Sequence, residues 1–263
     1  MPIKPLSTNA SVMQNALYGV HLASAVYLDD PQGYEYFDDF LLTDLHAYIS
    51  DENFALIGRC GGALVVALRG TDDARDWWNN FHFGQVDDYN GRVHSGFYYS
   101  MNSVWADMIK RLGKLWQTGD VVWIAGHSLG GAMATLAARW LAYEEYDIAG
   151  VFTFGQPRVG NNAFADNYPL YDVHYRFVNN KDFVPQVPYR WMGPGIYYQH
   201  VGKLYHFDED GNLSRSDRTW NELVEDFTED IMLRRPSAGR PEFGFADHAI
   251  TRYISKIEAA LEG

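Results

Sequence analysis

The sequence contains a single cysteine, Cys60, among 263 residues. One thiol excludes a disulfide framework and a cysteine-based zinc site, and its place beside an apolar run predicts a buried core residue. No stretch approaches the roughly 18 consecutive apolar residues that a membrane-spanning helix requires. The opening residues, MPIKPLSTNASVMQ, lack an apolar run behind a basic flank, so no secretory signal is predicted. We therefore expect either a cytoplasmic protein or one exported by a leaderless route.

Positive charge is also scarce, since 21 Lys+Arg stand against 34 Asp+Glu and leave a net charge of −13. This balance argues against a nucleic-acid partner and against simple docking on anionic lipid. The histidines lack metal-ligand spacing, and neither a P-loop nor a dinucleotide fingerprint is present. We expect no metal and no cofactor. The sequence leaves the oligomeric state open.

A hydrophobic fraction of 47% provides for a sizeable core, and the chain has no repeat or linker. We therefore predict one domain over residues 1–263. Periodicity predicts helices at 9–29, 102–117, 129–145, 161–168, 217–232 and 247–261, and strands at 53–59, 62–69, 120–125, 149–155 and 172–178, with an extended pair over 196–207 that turns at 210–212. This alternation indicates an α/β fold, a mostly parallel sheet with helices on both faces. Ligands of such sheets bind at the carboxyl ends of the strands.

A sharp strand-to-helix turn is predicted around Ser128, within the run Gly-His-Ser-Leu-Gly at residues 126–130. The run lies between an apolar strand, DVVWIA, and a stretch rich in helix formers, GAMATLAARWLA. Strand and helix come so close at such a turn that Gly126 and Gly130 must be small. The N-terminus of the following helix stabilises negative charge nearby. We predict that Ser128 is a nucleophile, the alternative being a glycine-rich turn with an idle serine.

A serine nucleophile needs a general base, and that base needs an orienting carboxylate. On this kind of sheet the chain order is Ser, then Asp or Glu, then His. His248 is the predicted base because it starts the last helix after a loop, whereas the other histidines beyond Ser128 lie in strand-like segments: His174, His200 and His206. Asp182 is the predicted carboxylate because it follows a strand, whereas other candidates lie in a helix, at a strand start or in a turn: Asp166, Asp172, Asp208 and Asp210.

Acyl transfer also needs donors for the oxyanion. The residue after the nucleophile supplies one backbone N–H, which here belongs to Leu129. The second donor comes from a loop after an earlier strand, and GALVVALR ends just before Gly70 and Thr71. The Thr71 N–H, helped by its hydroxyl, is the candidate, but position alone leaves an ordinary loop threonine equally possible.

Six stretches carry a resemblance to a known family: ALRGTDDARDWWNNF, VHSGFY, IAGHSLGGAMA, FTFGQPRVGN, FVNNKDFVPQVP and DHAITRY. In this order, over roughly residues 55–255, the chain resembles the class 3, fungal-type lipases. The resemblance implies an α/β-hydrolase fold with Ser128, Asp182 and His248 as a catalytic triad. It further implies that Thr71 is an oxyanion residue, followed by a short lid at about 72–83. His127 matches the same motif, and we interpret it as a packing residue.

These features predict a serine carboxylic-ester hydrolase, a lipase that cleaves tri- or monoacylglycerol at an oil–water interface. Trp77, Trp78 and Phe81 are the predicted lid and substrate-binding residues, since Ala74 and these aromatics can share one helical face. A phospholipase or an aromatic-acyl (feruloyl-type) esterase would use the same residues. A catalytically silent interaction module is the alternative from another class. A second apolar stretch, residues 191–198, either lines the same cleft or packs as a surface loop.

Overall fold

The computed structural model describes residues 6–28, 40–50, 53–69, 84–216 and 245–262. The strands in these ranges are β1 Thr43–Ser50, β2 Asn53–Cys60, β3 Ala63–Arg69, β4 Gln85–Asp88, β5 Gly91–His94, β6 Val121–His127, β7 Ile148–Phe154, β8 His174–Asn179, β9 Trp191–Gly193, β10 Ile196–Tyr197, β11 Lys203–Phe207 and β12 Leu213–Ser216. The α-helices are α1 Val12–Ala25, α2 Ser95–Leu115, α3 Leu129–Tyr143, α4 Asn162–Asp166, α5 Phe245–His248 and α6 Ile250–Glu262. Single 3₁₀ turns span Tyr171–Val173 and Val184–Gln186.

An eight-stranded sheet organises the described residues, with the strand order β1-β2-β3-β6-β7-β8-β11-β12. Strands β3, β6, β7, β8 and β11 run parallel, while β1, β2 and β12 are antiparallel to their neighbours. The central strand β6 is buried from Val122 to His127, which explains why its sequence is apolar throughout. This is the mostly parallel α/β sheet that the alternating sequence pattern predicts.

Helices cover both faces of this sheet. On one face, α2 and α3 bury residues such as Leu112 and Leu136 against the strands. On the other face, α1 and α6 do the same with Ala16 and Ile257. Cys60 is buried with a free thiol, as predicted. In the ranges described, no helix is both long enough and apolar enough to cross a bilayer.

Most predicted elements are present, and the differences concern their ends. Helix α1 starts later than predicted, because the Ser11 side chain, rather than that of Asn9, caps it in a capping box with Gln14. Helix α2 starts earlier than the predicted residue 102, with His94 as its N-cap and Phe97 buried in its first turn. Strand β1 was not predicted.

The predicted extended pair over 196–207 divides differently. Only Lys203–Phe207 joins the main sheet, and it pairs with β12 across the predicted turn, where Gly211 adopts a φ of 91°. Residues Ile196–Tyr197 pair instead with Trp191–Gly193 in a separate hairpin. The helix predicted at 217–232 lies outside the described residues.

Candidate active site

The turn between β6 and α3 holds Ser128 in a conformation that few non-glycine residues adopt. Its φ is 58° and its ψ is −128°, a strained backbone geometry. A Cβ added at Gly126 would lie 2.2 Å from the Gly130 carbonyl oxygen, and one at Gly130 would lie 2.1 Å from the Leu68 oxygen. The structure therefore confirms that only glycine fits at positions 126 and 130, two residues before and two residues after the serine. The hydroxyl is left at the carboxyl end of the central strand.

The structure brings Ser128, His248 and Asp182 into one hydrogen-bonded chain. The Ser128 Oγ lies 2.8 Å from His248 Nε2. The His248 Nδ1 lies 3.1 Å and 2.9 Å from the two carboxylate oxygens of Asp182. All three side chains are buried. Such a geometry lets an imidazole take the serine proton while the carboxylate holds the ring and stabilises its protonated form.

Two further groups hold the Asp182 carboxylate in place. The Val184 N–H donates to Oδ1 at 2.9 Å, and the Tyr253 hydroxyl donates to Oδ2 at 2.5 Å. The same tyrosine oxygen accepts the Asn179 N–H at 3.1 Å. Burial, and then the nearby Asp182 charge, raise the pKa of Tyr253 well above its usual value. The phenol therefore stays protonated and remains a donor to the carboxylate.

The short helix α5 places His248 beside the carboxyl end of β8. Its Asp247 backbone oxygen accepts from the Asn179 side-chain amide at 2.9 Å. The Asp247 carboxylate accepts from the Asn180 side-chain amide at 3.0 Å. Because Asp182 comes two residues after Asn180 in the same loop, the same contacts align the imidazole with the carboxylate. His248 ends α5, so the sequence prediction that it starts the last helix is wrong, since the separate helix α6 begins at Ile250.

His127 supports His248 from the other side. The two imidazole rings stack with centroids 4.6 Å apart. The His127 Nε2–H donates to the His248 backbone oxygen at 2.7 Å, and the Tyr27 hydroxyl lies 3.1 Å from His127 Nδ1. Burial first, and then the neighbouring His248, lower the pKa of His127 well below its usual value. A neutral His127 accepts a hydrogen bond from the Tyr27 hydroxyl while donating one to the His248 backbone oxygen. His127 is therefore a packing residue, as interpreted from the sequence, and it also bonds directly to the residue that carries the imidazole.

Gly155, directly after β7, is another close neighbour of the His248–Asp182 pair. Its φ is +59°, and a Cβ added there would lie 2.8 Å from Asp182 Oδ2, from His248 Cε1 and from His248 Nδ1. A side chain at this position would therefore press on the hydrogen bond between the imidazole and the carboxylate.

The structure describes one half of the predicted oxyanion pair. Leu129 is the first residue of α3, where a backbone N–H has no acceptor within the helix. The other half, Thr71, lies outside the described residues, as do the predicted lid at 72–83 and its residues Trp77, Trp78 and Phe81. Their roles stay predictions.

The alternative histidines bind other partners. His174 lies between the Tyr168 hydroxyl, at 2.9 Å, and the Thr153 hydroxyl, at 3.2 Å. His200 Nε2 donates to the Pro185 oxygen, and His206 Nε2 donates to the Asn180 oxygen. Of the histidines that follow Ser128, His248 is the one that the structure places against the serine hydroxyl.

Comparison with known proteins agrees with this geometry. Residues 65–192 match the family described as Lipase (class 3). This match assigns residues 65–192 to the class 3 lipase family.

Two of the curated relatives that match this chain are fungal. It is 34% identical over 174 residues to secreted mono- and diacylglycerol lipase 1 of Fusarium solani, an alignment that covers 63% of this chain and 48% of the relative. It is 32% identical over 188 residues to secreted mono- and diacylglycerol lipase A of Penicillium cyclopium, covering 68% and 57%. The chain thus spans about half the length of the curated relatives that it matches.

A solved structure supports the α/β-hydrolase fold of this chain. It is described as a triacylglycerol lipase whose catalytic centre is a serine protease triad. It superposes with a TM-score of 0.68 at 25% identity and covers 82% of this chain and 91% of its own.

Three contributors to the candidate site were not predicted from the sequence. Tyr27 and Tyr253 read as core aromatics of terminal helices, and nothing in their local patterns marks a hydrogen-bonding role. Gly155 lies in the family-like stretch FTFGQPRVGN. A glycine directly after a buried parallel strand was the available signal for a close approach.

Proposed function

We propose that this chain hydrolyses acylglycerol esters through an acyl-enzyme on Ser128. The observation that carries the proposal is the 2.8 Å contact between Ser128 Oγ and His248 Nε2, continued by the contact from Nδ1 to Asp182. The relatives named as mono- and diacylglycerol lipases support acylglycerols as the substrate class.

The proposed reaction has two halves. Ser128 Oγ attacks the ester carbonyl carbon while His248 Nε2 takes the hydroxyl proton, and the tetrahedral intermediate collapses when the same proton passes to the departing alcohol. Water then attacks the acyl-enzyme, giving a proton to His248, and the fatty acid leaves as Ser128 regains that proton. Asp182 keeps Nδ1–H oriented and stabilises the imidazolium in both halves.

Leu129 and Thr71 are the proposed oxyanion donors. The position of Leu129 at the start of α3 supports its part, because N–H groups in a first helical turn point at developing negative charge. The family resemblance supports the part of Thr71.

Covalent labelling tests the proposal most directly. We expect a serine-directed phosphonate to label the protein stoichiometrically at Ser128, and Ser128→Ala to abolish labelling. Ser128→Ala or His248→Ala should lower kcat by about 10⁴–10⁶, and Asp182→Asn somewhat less. Ser103→Ala on α2 is the matched control and should keep full activity. If His248→Ala retained near-parental turnover, the proposed base would be wrong.

Initial rates on a set of emulsified esters test the substrate class. We expect mono-, di- or triacylglycerol to be cleaved faster than phosphatidylcholine or a feruloyl ester. A faster rate on phosphatidylcholine would assign a phospholipase, and a faster rate on the feruloyl ester would assign an aromatic-acyl esterase.

We further propose that residues 72–83 form a lid that opens at an oil–water interface. Support comes from the sequence, in which Trp77, Trp78 and Phe81 could share one helical face of an otherwise polar segment. Support also comes from burial, because Ser128 is only 5% exposed and His248 only 4%, so an ester needs a path to them. Burying one large aromatic in the interface contributes about 1.5–3 kcal/mol, enough to shift a two-state lid.

Turnover of a short ester below and above its solubility limit tests the lid. A gating lid gives a jump above the limit in the parent protein and a smaller jump in Trp77→Ser. Smooth saturation in both proteins would refute the lid and favour an esterase with a fixed aromatic wall.

We infer that the protein acts outside the cytoplasm. Two relatives are named secreted lipases, whereas the cytoplasmic alternative has no such support. The expected result is esterase activity in the culture medium of the source organism beyond that explained by a cytoplasmic leakage marker. Activity retained within washed cells would contradict the inference.

A further inference from the structure

Large aromatic side chains are exposed on the hairpin formed by β9 and β10. Tyr189 is 52% exposed, Trp191 is 61% exposed and Tyr197 is 43% exposed. Trp191 and Tyr197 are register partners across the hairpin, and directly opposed residues of a strand pair have neighbouring side chains. We call residues 189–197 the aromatic hairpin. Its outer side presents aromatic surface to the surroundings of the molecule.

The aromatic hairpin is firmly attached to the rest of the fold. Tyr198, the next residue, is fully buried and donates its hydroxyl to the Gly84 oxygen at 3.2 Å. The Gln85 side-chain amide donates to the Tyr197 backbone oxygen at 2.7 Å. The buried Arg158 guanidinium donates to the Pro188 oxygen at 2.8 Å, just before the hairpin. These bonds fix the position of the hairpin backbone, because both ends of the hairpin are tied to buried groups.

The charge of this segment differs from that of the whole chain. Residues 183–202 contain no Asp or Glu and a single charged side chain, Arg190, in a protein with 34 acidic residues. Carboxylates are expensive to dehydrate, whereas Trp and Tyr favour the boundary between water and lipid, and a long Arg side chain keeps its charge in water. The segment thus lacks the groups that would oppose contact with an apolar phase.

The aromatic hairpin is close in sequence to the Asp182 loop of the candidate active site. The segment follows the Asp182 loop directly, through the turn Val184–Gln186. Its backbone and Tyr198 bond to Gln85 and Gly84, the residues that come immediately after the proposed lid at 72–83. A lipid surface that rests on the hairpin would therefore contact a segment connected both to the Asp182 loop and to the residues that follow the proposed lid.

We propose that the aromatic hairpin is a fixed docking surface for an uncharged lipid interface, with Trp191 and Tyr197 as its anchors. The proposal rests on the proposed lipase function and adds a binding surface that is separate from the lid. The exposed rings enter the interface while Arg190 stays at its polar boundary. The net charge of −13 makes an uncharged interface preferable to an anionic one.

Vesicle binding in a Ser128→Ala background tests the proposal, because binding is then measured without hydrolysis. On phosphatidylcholine vesicles, we expect Trp191→Ser to weaken partitioning about tenfold and the Trp191→Ser, Tyr197→Ser pair to weaken it about 100-fold. Tyr99→Ser on α2 removes an equally exposed aromatic, at 62%, and should stay within about twofold of the parent. Vesicles that contain an anionic lipid should bind the parent more weakly.

A conservative variant adds a second measurement. Trp191→Phe keeps an aromatic ring, so it should bind nearly as well as the parent. Quenching of tryptophan fluorescence by brominated phosphatidylcholine should nevertheless fall, because the indole at the interface is gone. Unchanged quenching in Trp191→Phe would place Trp191 away from lipid and overturn the proposal.

Other outcomes also overturn it. If the double variant binds vesicles as tightly as the parent, or if Tyr99→Ser weakens binding equally, the hairpin is not the docking surface. If the double variant instead abolishes a dimer seen by sedimentation without lipid, the surface belongs to a second copy of the chain.

With Ser128 present, Trp191→Ser should lower turnover of emulsions far more than turnover of a soluble ester, and an equal loss would assign the hairpin to the substrate cleft. A parent protein that binds vesicles but hydrolyses no ester would refute the proposed function alone.

Discussion

Replacing Gly155 by alanine should damage the active site without a comparable loss of stability. The added Cβ would lie 2.8 Å from Asp182 Oδ2, His248 Cε1 and His248 Nδ1, whereas ordinary contacts begin at 3.4 Å. Either the imidazole or the carboxylate must therefore move by roughly half an ångström. A misplacement of about 1 Å lowers catalytic rates by about 100-fold, so we expect kcat to fall by about 10–100-fold.

Gly61 provides a matched control for the backbone effect of this change. It shares the φ of +59°, but a Cβ added there would meet nothing within 4 Å. Alanine in this left-handed conformation costs about 1–2 kcal/mol at either position. The two variants should thus lose a similar part of their unfolding free energy from the backbone, and only Gly155→Ala should also lose turnover.

Urea denaturation and steady-state kinetics on a soluble ester measure the two effects separately. We expect kcat of Gly61→Ala to match the parent within about twofold and kcat of Gly155→Ala to fall. The kinetics are measured without urea, where both variants should be folded to the same extent. Parental kcat in a folded Gly155→Ala protein would refute the reasoning, since the contact between Gly155, His248 and Asp182 would then carry no catalytic consequence.

Three further predictions concern other groups of the site and the core. Tyr253→Phe removes the hydroxyl that donates to Asp182 at 2.5 Å, so we expect kcat/KM to fall about tenfold and the unfolding free energy, measured with urea, to fall by about 1–3 kcal/mol. Burial lowers the pKa of His174 to about 3 from 6.5. Below pH 6.5 the unfolded chain therefore binds more protons at His174 than the folded chain does. The free energy of unfolding should fall as the pH drops below 6.5, and at pH 5 this residue should account for a loss of about 2 kcal/mol. Urea titrations at pH 7.5 and pH 5 should show the loss, with a smaller difference in His174→Gln. Thr71→Ala keeps the backbone N–H and removes only the hydroxyl. The activation free energy calculated from kcat should therefore rise by less than the roughly 2.7–4 kcal/mol that removal of a whole oxyanion donor costs.

Each of these has a contradicting result. Parental kinetics in Tyr253→Phe would mean that the Val184 N–H alone positions Asp182. An unchanged pH dependence in His174→Gln would assign the acid instability to two other histidines, His127 and His200, whose pKa values burial also lowers. An unchanged kcat in Thr71→Ala would show that the hydroxyl is idle.

Local pattern was sufficient for the elements that depend on neighbours in the chain. Apolar runs predicted the central strands, and small residues around Ser128 predicted the sharp turn, because both depend on sterics and burial within a few residues. The rule that Ser, Asp and His follow one another in this order selected the three side chains that the structure joins by hydrogen bonds. Their catalytic roles remain predictions for the kinetic tests.

Local pattern failed where partners compete for the same segment. Residues 196–197 have strand character, but they pair with 191–193 rather than with the main sheet. Strand propensity cannot choose between these partners, because pairing depends on which neighbour the chain brings alongside. The short strand pair that results is the aromatic hairpin.

What the sequence determined by itself is the alternation of the central strands and helices, the turn that places Ser128 at the carboxyl end of the central strand, and the candidates Asp182 and His248. Only the tertiary structure decided which distant groups support them. The Tyr253 hydroxyl reaches Asp182 from 71 residues away, and Tyr27 reaches His127 across 100 residues. Such contacts depend on how α1 and α6 pack on one face of the sheet, and packing satisfies buried polar groups in ways that no short stretch of sequence encodes.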